Sequence, residues 1–394
     1  MRSSIFYVSA LIGITFLSCG EQKKEHTIIT IKNNLEIPRA FETVEVSKKE
    51  IVLGENQKFE NIIVRDMATQ ERLITQFVDE NSDGVADVVL FQPEVEPISE
   101  KKYEIVVLDS VAAQDVTAYC YSRFVPERTD DYAWENNKVA FRTYGPVAQK
   151  MVEDSVSGGT LSSGIDAWLK KVEYPIINKW YAKNDINPGE YHIDSGEGLD
   201  NFHVGSSRGV GGVAVKKDTT YYISKNFTEW ETITTGPIRT SFVLNYADWD
   251  ADGQKITEEK HISLDYGNNL SKFEIHTTGT TVLSVGLTLH KKEGVGTEKV
   301  DQGWVSYWEP HEGSELGTGI VAANGTMIAS ENYDTNMTDR SNLYAQLKVE
   351  NGKVVYYSGF AWKESKQYPT KASWEAYLEE FALKINNPLE VSLK

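Results

Sequence analysis

The stretch Tyr191-His192-Ile193-Asp194-Ser195-Gly196-Glu197-Gly198-Leu199-Asp200-Asn201-Phe202-His203-Val204-Gly205, running on to Arg208, concentrates groups that move protons or hold charge. It carries two of the seven histidines, with the carboxylates Asp194, Glu197 and Asp200 between them. So many glycines and turn formers exclude a helix, and loops on a rigid scaffold are where sites concentrate. His192, Asp194, Glu197 and His203 have donor atoms for a metal, although their spacing fits no standard ligand template. Metal-free acid–base chemistry is the second reading of the same residues. A polar loop of salt bridges with no chemistry is the third.

Other reactive types are scattered. Asp130-Asp131-Tyr132-Ala133-Trp134-Glu135-Asn136, Arg142, Tyr144, Tyr174, Lys179, Tyr181, Arg239 and Trp308-Glu309-Pro310-His311 all combine charge, hydroxyl or aromatic groups. Trp134, Glu135, Lys179, Trp308 and His311 have the aromatic faces and polar tips that sugar-binding sites use. The plainer reading is that aromatics are core, that single arginines in strands are structural, and that Trp-Glu-Asn is a packed corner. Asp79-Glu80-Asn81-Ser82-Asp83-Gly84-Val85-Ala86-Asp87 begins like a calcium loop, with Asp79, Asn81 and Asp83 alternating and glycine sixth. Its twelfth position is Leu90 rather than glutamate, so the loop is incomplete, and a tight acidic turn accounts for it equally. Asp248-Trp249-Asp250-Ala251-Asp252-Gly253 is a weaker version. Gly205-Ser206-Ser207-Arg208-Gly209-Val210-Gly211-Gly212 lacks the Lys-Ser/Thr of a nucleotide loop and has no βαβ unit around it, so its glycines suit close backbone packing or ligand space. No Gly-x-Ser-x-Gly elbow occurs. A carboxylate pair for glycoside hydrolysis cannot be singled out among 58 acids.

The elements that must position these groups read as strands. Thr27–Lys32, Glu60–Arg65, Ala86–Phe91, Tyr103–Leu108, Val139–Thr143, Thr220–Ser224, Ile238–Tyr246, His261–Asp265, Val282–His290, Trp304–Trp308, Leu343–Val349 and Val354–Trp362 are rich in Val, Ile, Thr and Tyr. Asn351-Gly352 between the last two is a hairpin signal. Two helices are expected. One covers Ile165–Tyr181, where Trp168, Leu169, Val172, Ile176 and Trp180 follow a roughly helical period that Pro175 must kink or split. The other carries Trp374, Tyr377, Leu378 and Phe381, with Pro388 beyond its end. This pattern predicts a mainly β fold, a large antiparallel, supersandwich-like β-sandwich with a few helices. A division is expected near Val125-Pro126, giving an N-terminal β region over 28–125 and a large sandwich carrying the site over 126–394.

Met1-Arg2, the apolar run Ile5–Leu17 and Ser18-Cys19-Gly20 make a secretory signal, residues 1–19, with Cys19 at the position that becomes lipidated. The run is too short to span a bilayer comfortably. Glu21-Gln22-Lys23-Lys24-Glu25 lies in a charged tether over 20–27. An outer-membrane lipoprotein, on the cell surface or the periplasmic face, is the expectation. Cys120 is then the one cysteine left, so no internal disulfide forms and no cysteine zinc site exists. A chain of this length buries enough core without such staples. The formal net charge of -18 disfavours nucleic acid as a partner, while leaving room for a local anion pocket.

Asn33-Asn34-Leu35, Thr43-Val44-Glu45-Val46, Arg123-Phe124-Val125-Pro126-Glu127-Arg128, Asp130 through Asn136, Val139-Ala140-Phe141-Arg142-Thr143-Tyr144-Gly145 and Tyr191 through Gly212 together resemble a family of exported Bacteroidetes proteins. That family was long catalogued as a domain of unknown function. Its members sit with polysaccharide-degrading enzymes and include an oligosaccharide dehydratase acting on ulvan, a sulfated algal polysaccharide of rhamnose and uronic acids. The resemblance covers nearly the whole mature chain, most specifically its middle third. It implies loss of water from a saturated uronic acid at the non-reducing end, leaving a 4,5-unsaturated sugar, with an anionic oligosaccharide as substrate. No residue role is carried over from it.

That chemistry needs a cation on the sugar carboxylate, because the C5 proton is only weakly acidic beside an anion. It also needs a base for that proton and an acid for the departing 4-hydroxyl. The expected players are His192 or His203 as base, Arg208 or Arg142 on the carboxylate, and Tyr144 or Tyr181 as acid. No cofactor is required by this scheme, and calcium at the Asp79 loop is an option. Three alternatives compete: a carbohydrate-binding lipoprotein without catalysis, a polysaccharide lyase sharing the β-elimination, and a glycoside hydrolase.

Overall fold

The computed structural model describes residues 27–112 and 114–394. The signal, Cys19 and the charged residues before Thr27 lie outside the described residues. Mainly antiparallel β-strands build the described chain, with three α-helices: α1 (Pro146–Glu153), α2 (Ile177–Ile186) and α3 (Lys371–Asn386). No helix among the described residues is long and apolar enough to cross a membrane.

The first part is a small two-sheet unit. Thr27–Asn33 sits between Ser99–Val107 and the C-terminal strand Glu390–Leu393 in a four-stranded sheet. Val44–Ser47, Val88–Phe91 and Thr75–Val78 form the facing three-stranded sheet. Alternate residues such as Ile29, Ile31, Val89, Phe91, Tyr103 and Ile105 meet between them, as a period of two on each strand demands. Tyr121–Val125 pairs with Asp131–Glu135, so it belongs to the larger second part, and Glu390–Leu393 belongs to the first. Chain order alone therefore does not separate the two parts at Val125.

The second part is the expected large antiparallel sandwich. One wall is a nine-stranded sheet, the other two five-stranded sheets. Their shared core includes Trp134, Phe141, Leu169, Val213, Phe242, Phe273, Leu287 and Tyr356. The two five-stranded sheets are joined by a parallel bridge between Ile165 and Gly209. Here Gly209 has φ 58°, and a Cβ on it would sit 1.9 Å from the Ile165 carbonyl oxygen. Gly209→Ala is therefore expected to lower unfolding free energy by at least about 1–3 kcal/mol, read from the urea midpoint. An unchanged midpoint would contradict the close approach.

The expected helix over Ile165–Tyr181 is corrected. Asp166–Lys170 is a strand paired with Ala140–Tyr144, and α2 starts only beyond Pro175. The strand is buried on both faces. Ala167 and Leu169 enter the main core, while Trp168 faces Trp180 and Tyr181 of α2. A strand covered on both sides lacks the alternation of a half-buried one, so periodicity cannot tell it from a helix, and here even its charged ends are buried, Asp166 against Arg142 and Lys170 against Glu135. The Asn351-Gly352 turn forms, with Glu350 and Lys353 exchanging backbone hydrogen bonds of 2.9 and 3.0 Å. The strands it joins then part, Asn342–Lys348 into a five-stranded sheet and Lys353–Trp362 into the nine-stranded one. The turn is local chemistry, and the hairpin expected from it is replaced by a crossing between sheets.

Helix α3 covers the outer face of the nine-stranded sheet, where Trp374 and Leu378 pack with Trp304, Trp308 and Ala361. Its start is capped by Thr370, whose Oγ1 accepts the Ser373 N–H at 3.2 Å, worth about 1 kcal/mol. Acids of the Asp130–Asn136 block cap the other two helices from a distance. Asp130 accepts the N–H groups of Val147 and Ala148 at the start of α1. Glu135 accepts those of Ile176 and Ile177 at the start of α2, and pairs with the buried Lys170 at 2.7 Å. Helix N-termini leave such donors unpaired and favour negative charge, so these acids are scaffold.

Candidate functional site

Helix α2 and the loop after it rest on the outer face of one five-stranded sheet, over Trp168 and Ala133. Beneath this loop lies a buried charge cluster. Arg142 Nε donates to Asp166 Oδ2 at 2.8 Å and Nη2 to Asp200 Oδ2 at 2.8 Å, with Asp131 Oδ2 3.7 Å from Nη1. The guanidinium also sits over the rings of Trp168, Tyr144 and Tyr191, 5.1 to 5.7 Å from their centroids. Tyr181 donates to Asp131 at 3.0 Å and Tyr144 to Asp166 at 3.4 Å. Burial pushes the Asp131 carboxyl up to about 6, against the opposing pull of Arg142 and Arg128. Burial pushes Asp166 up as well, with neighbouring Asp200 adding to it. Asp131 Oδ1, Arg142 Nη1 and Asp166 Oδ1 are buried and make no hydrogen bond.

Arg142, Tyr144 and Tyr181 are thus brought together, but underneath the surface and already engaged with one another's carboxylates. Arg142 is 4% exposed, and its charge is spent on three aspartates. The cluster fixes Asp200, which in turn holds His192. The His192 ring meets the Asp200 carbonyl oxygen through Nδ1 at 2.5 Å, and its side chain is 53% exposed. A carbonyl only accepts, so Nδ1 carries the proton, and in the neutral ring Nε2 is the basic nitrogen.

A basic rim surrounds the same loop. Lys171 pairs with Asp194 at 2.5 Å. Lys183 lies 3.1 Å from Glu197, which Lys179 and Tyr174 also contact. Burial pushes the Glu197 carboxyl up, but the hydrogen bonds from Lys179, Tyr174 and Lys183 outweigh it and hold Glu197 down at about 2. Lys179 remains half exposed, and Tyr174 is exposed.

The segment Asp200–His203 carries the loop to a second cluster at the strand ends. Asn201 Oδ1 meets His311 Nε2 at 3.2 Å, and the His203 carbonyl takes His290 Nε2 at 3.0 Å. His290 contacts Glu309 through Nδ1. Donor atoms of His290, Glu309 and His311 all lie within 4.8 Å of one another. Burial, with His290 adding, pushes the His311 imidazole down to about 4. The His203 side chain itself is exposed and pairs with Asp339 at 3.0 Å. His290 was no candidate in the sequence, since it only ends an apolar strand run.

The remaining candidates sit elsewhere. Arg208 is fully buried, with Nη1 donating to Ser163 Oγ at 2.9 Å and to the Val213 carbonyl at 3.3 Å, and its stem against Gly286. Trp134 is core and donates to Ser271 Oγ at 3.0 Å. Trp308 lies beneath α3 and donates to Glu315 at 3.3 Å. These, with Glu135, offer no face to a ligand. Asp79, Asn81 and Asp83 form the turn between Thr75–Val78 and Val88–Phe91, where they accept backbone N–H groups of Asp83, Gly84 and Val85. A cleft of about 700 Å³ lies between the Ala40–Glu45 loop and α3, and none of the described histidines lines it. Arg239 on its wall is engaged by Asp265 and Glu45.

Residues 31–391 match the family model described as a domain of unknown function, DUF4861. The chain belongs to the DUF4861 family. It is 68% identical to "Uncharacterized protein P7" of Formosa agariphila over 391 residues, covering 99% of this chain and 98% of that protein. Among solved structures, a glycosyl hydrolase family 38 protein of Enterococcus faecalis aligns with 94% of this chain at 10% identity and a TM-score of 0.46. An α-mannosidase from the same species aligns with 94% of it at 10% identity and a TM-score of 0.45. The DUF4861 chain spans about half the length of these two structures, 47% and 46%.

Proposed function

We propose that this DUF4861 protein is an exported dehydratase of acidic oligosaccharides. On this reading it removes water from a non-reducing-end uronic acid and leaves a C4=C5 double bond. The observation that carries the reading is the half-exposed His192 ring. It is oriented through Nδ1 by Asp200, and Asp200 is anchored in turn by buried Arg142. A half-exposed base held in one tautomer is what abstraction of a C5 proton requires.

The residue roles follow from exposure. His192 Nε2 takes the C5 proton. Lys179 neutralises the sugar carboxylate, so that negative charge can build on it. Tyr174, at the same rim, protonates the departing 4-hydroxyl, and the C4–O bond breaks to release water. Arg142 acts as a positioning residue in this scheme. The family resemblance gives the uronic acid and the ulvan-type polysaccharide, and the Cys19 signal gives an outer-membrane anchor. The test uses protein lacking residues 1–19 and saturated-end ulvan oligosaccharides. Ultraviolet absorbance with loss of one water and no chain cleavage is expected. Absorbance with chain shortening makes the protein a lyase, and new reducing ends without absorbance make it a glycoside hydrolase. Retention of unchanged oligosaccharide makes it a binding protein.

A further inference from the structure

We propose that His290, Glu309 and His311 form a binding site for a divalent transition-metal ion of the zinc type. Three donors of two kinds converge there from different walls of the sandwich. His290 follows the strand Val282–Thr288 of a five-stranded sheet, and Glu309 and His311 end the strand Trp304–His311 of the nine-stranded one. Three atoms no more than 4.8 Å apart lie within about 2.8 Å of a common centre, so small side-chain shifts reach metal–ligand distances of about 2.0–2.2 Å.

The tautomer of His290 points the same way. Its Nε2 faces the His203 carbonyl at 3.0 Å, and a carbonyl can only accept, so the ring proton is on Nε2. Nδ1 then faces a carboxylate oxygen of Glu309 in hydrogen-bond contact, so this pair takes up a cation, either a second proton on the ring or a metal ion. A proton would join these two groups, but it gives no role to His311, whose ring centroid lies 5.6 Å from that of His290. A metal ion uses all three.

The surroundings are those of ligating histidines. The His203 carbonyl orients one ring and Asn201 Oδ1 the other, as outer partners of metal-bound imidazoles do. Glu309 and His311 are buried, His290 is 12% exposed in its side chain, and His203 beside them is open to solvent. Two imidazoles and one carboxylate with an open side match zinc or a similar ion rather than calcium, which takes oxygen ligands. Occupancy does not depend on the dehydratase reading.

The experiment uses untagged protein lacking residues 1–19, stripped with chelator and titrated with Zn²⁺ and with Co²⁺. About one Zn²⁺ per chain is expected after dialysis, together with a visible Co²⁺ absorption band that Zn²⁺ abolishes and excess Ca²⁺ does not. Glu309→Gln, His290→Gln and His311→Ala are each expected to weaken Zn²⁺ binding by at least about 100-fold, beyond the effect of losing an outer partner. Circular dichroism identifies any variant that fails to fold, and Glu309→Gln, with its shape kept, decides in that case. Less than one-tenth equivalent of Zn²⁺ bound, or full binding retained by folded Glu309→Gln, overturns the site. Metal bound as expected with no turnover of ulvan oligosaccharides supports the site and removes the dehydratase reading alone.

Discussion

Arg142→Met is expected to destabilise the fold by about 3–5 kcal/mol, the cost of stripping a buried charge of its partner. Asp131, Asp166 and Asp200 would then face one another around an apolar side chain, with Arg128 and the Tyr181 hydroxyl left to offset Asp131. The loss depends on pH with a definite sign. Asp131 already has a folded value of about 6, above the unfolded range, because burial disfavours its charge. A carboxyl raised in this way binds its proton more tightly folded than unfolded. Its contribution is therefore most favourable at low pH and is lost as pH rises from about 4 toward about 6. Removing Arg142 raises the aspartates further and extends the window upward. Urea midpoints at pH 5 and pH 8 should show the variant far weaker at pH 8 and partly recovered at pH 5. Adding Asp166→Asn to Arg142→Met should restore part of the stability at pH 8, since one buried charge is gone. Equal midpoints for wild type and Arg142→Met at both values would remove the cluster from any supporting role.

His192→Asn should cut turnover of the saturated oligosaccharide by about 10²–10⁴-fold, the range for losing a general base. KM should change little, since the substrate carboxylate is held by Lys179 in the proposed scheme. The ring is half exposed and touches mainly the loop, so the urea midpoint should stay within about 0.5 kcal/mol of wild type. The split between lost turnover and retained stability separates a catalytic His192 from a structural one. A decrease of less than tenfold would return the base to His203.

The family-specific blocks illustrate how a sequence can be informative and misleading together. Asp130 through Asn136 holds acids, aromatics and an amide, yet Asp130 and Glu135 cap α1 and α2, Asp131 pairs with buried Arg142, and its aromatics fill the core. Asn136 closes its turn by accepting the N–H groups of Lys138 and Val139. Arg208 is buried as well, and of the two readings its glycine-rich neighbourhood allowed, close packing and ligand space, the structure shows close packing, with Ile165, Ser358 and Arg208 as near neighbours of Gly209, Gly211 and Gly212. A specific block therefore marks a demanding structural solution as readily as it marks a site.

Many of the strands, α3 and the Asp79 turn were legible in the sequence because they rest on local physics. Alternation, helical spacing, proline and left-handed turn positions act within a few residues. The exposure of His192 follows from the same local physics, since the glycines and turn formers after it exclude an α-helix and leave only the short 3-10 turn Glu190–His192. Only the tertiary structure decided which reactive groups are available. Whether Arg142 faces a substrate or three aspartates depends on residues as distant as Asp200. Whether Asp166–Lys170 is strand or helix depends on covering both its faces. The meeting of His290 with Glu309 and His311 depends on two sheets packing with their strand ends together. Burial, charge pairing and convergence are properties of contacts between distant segments, and no local pattern of residues encodes them.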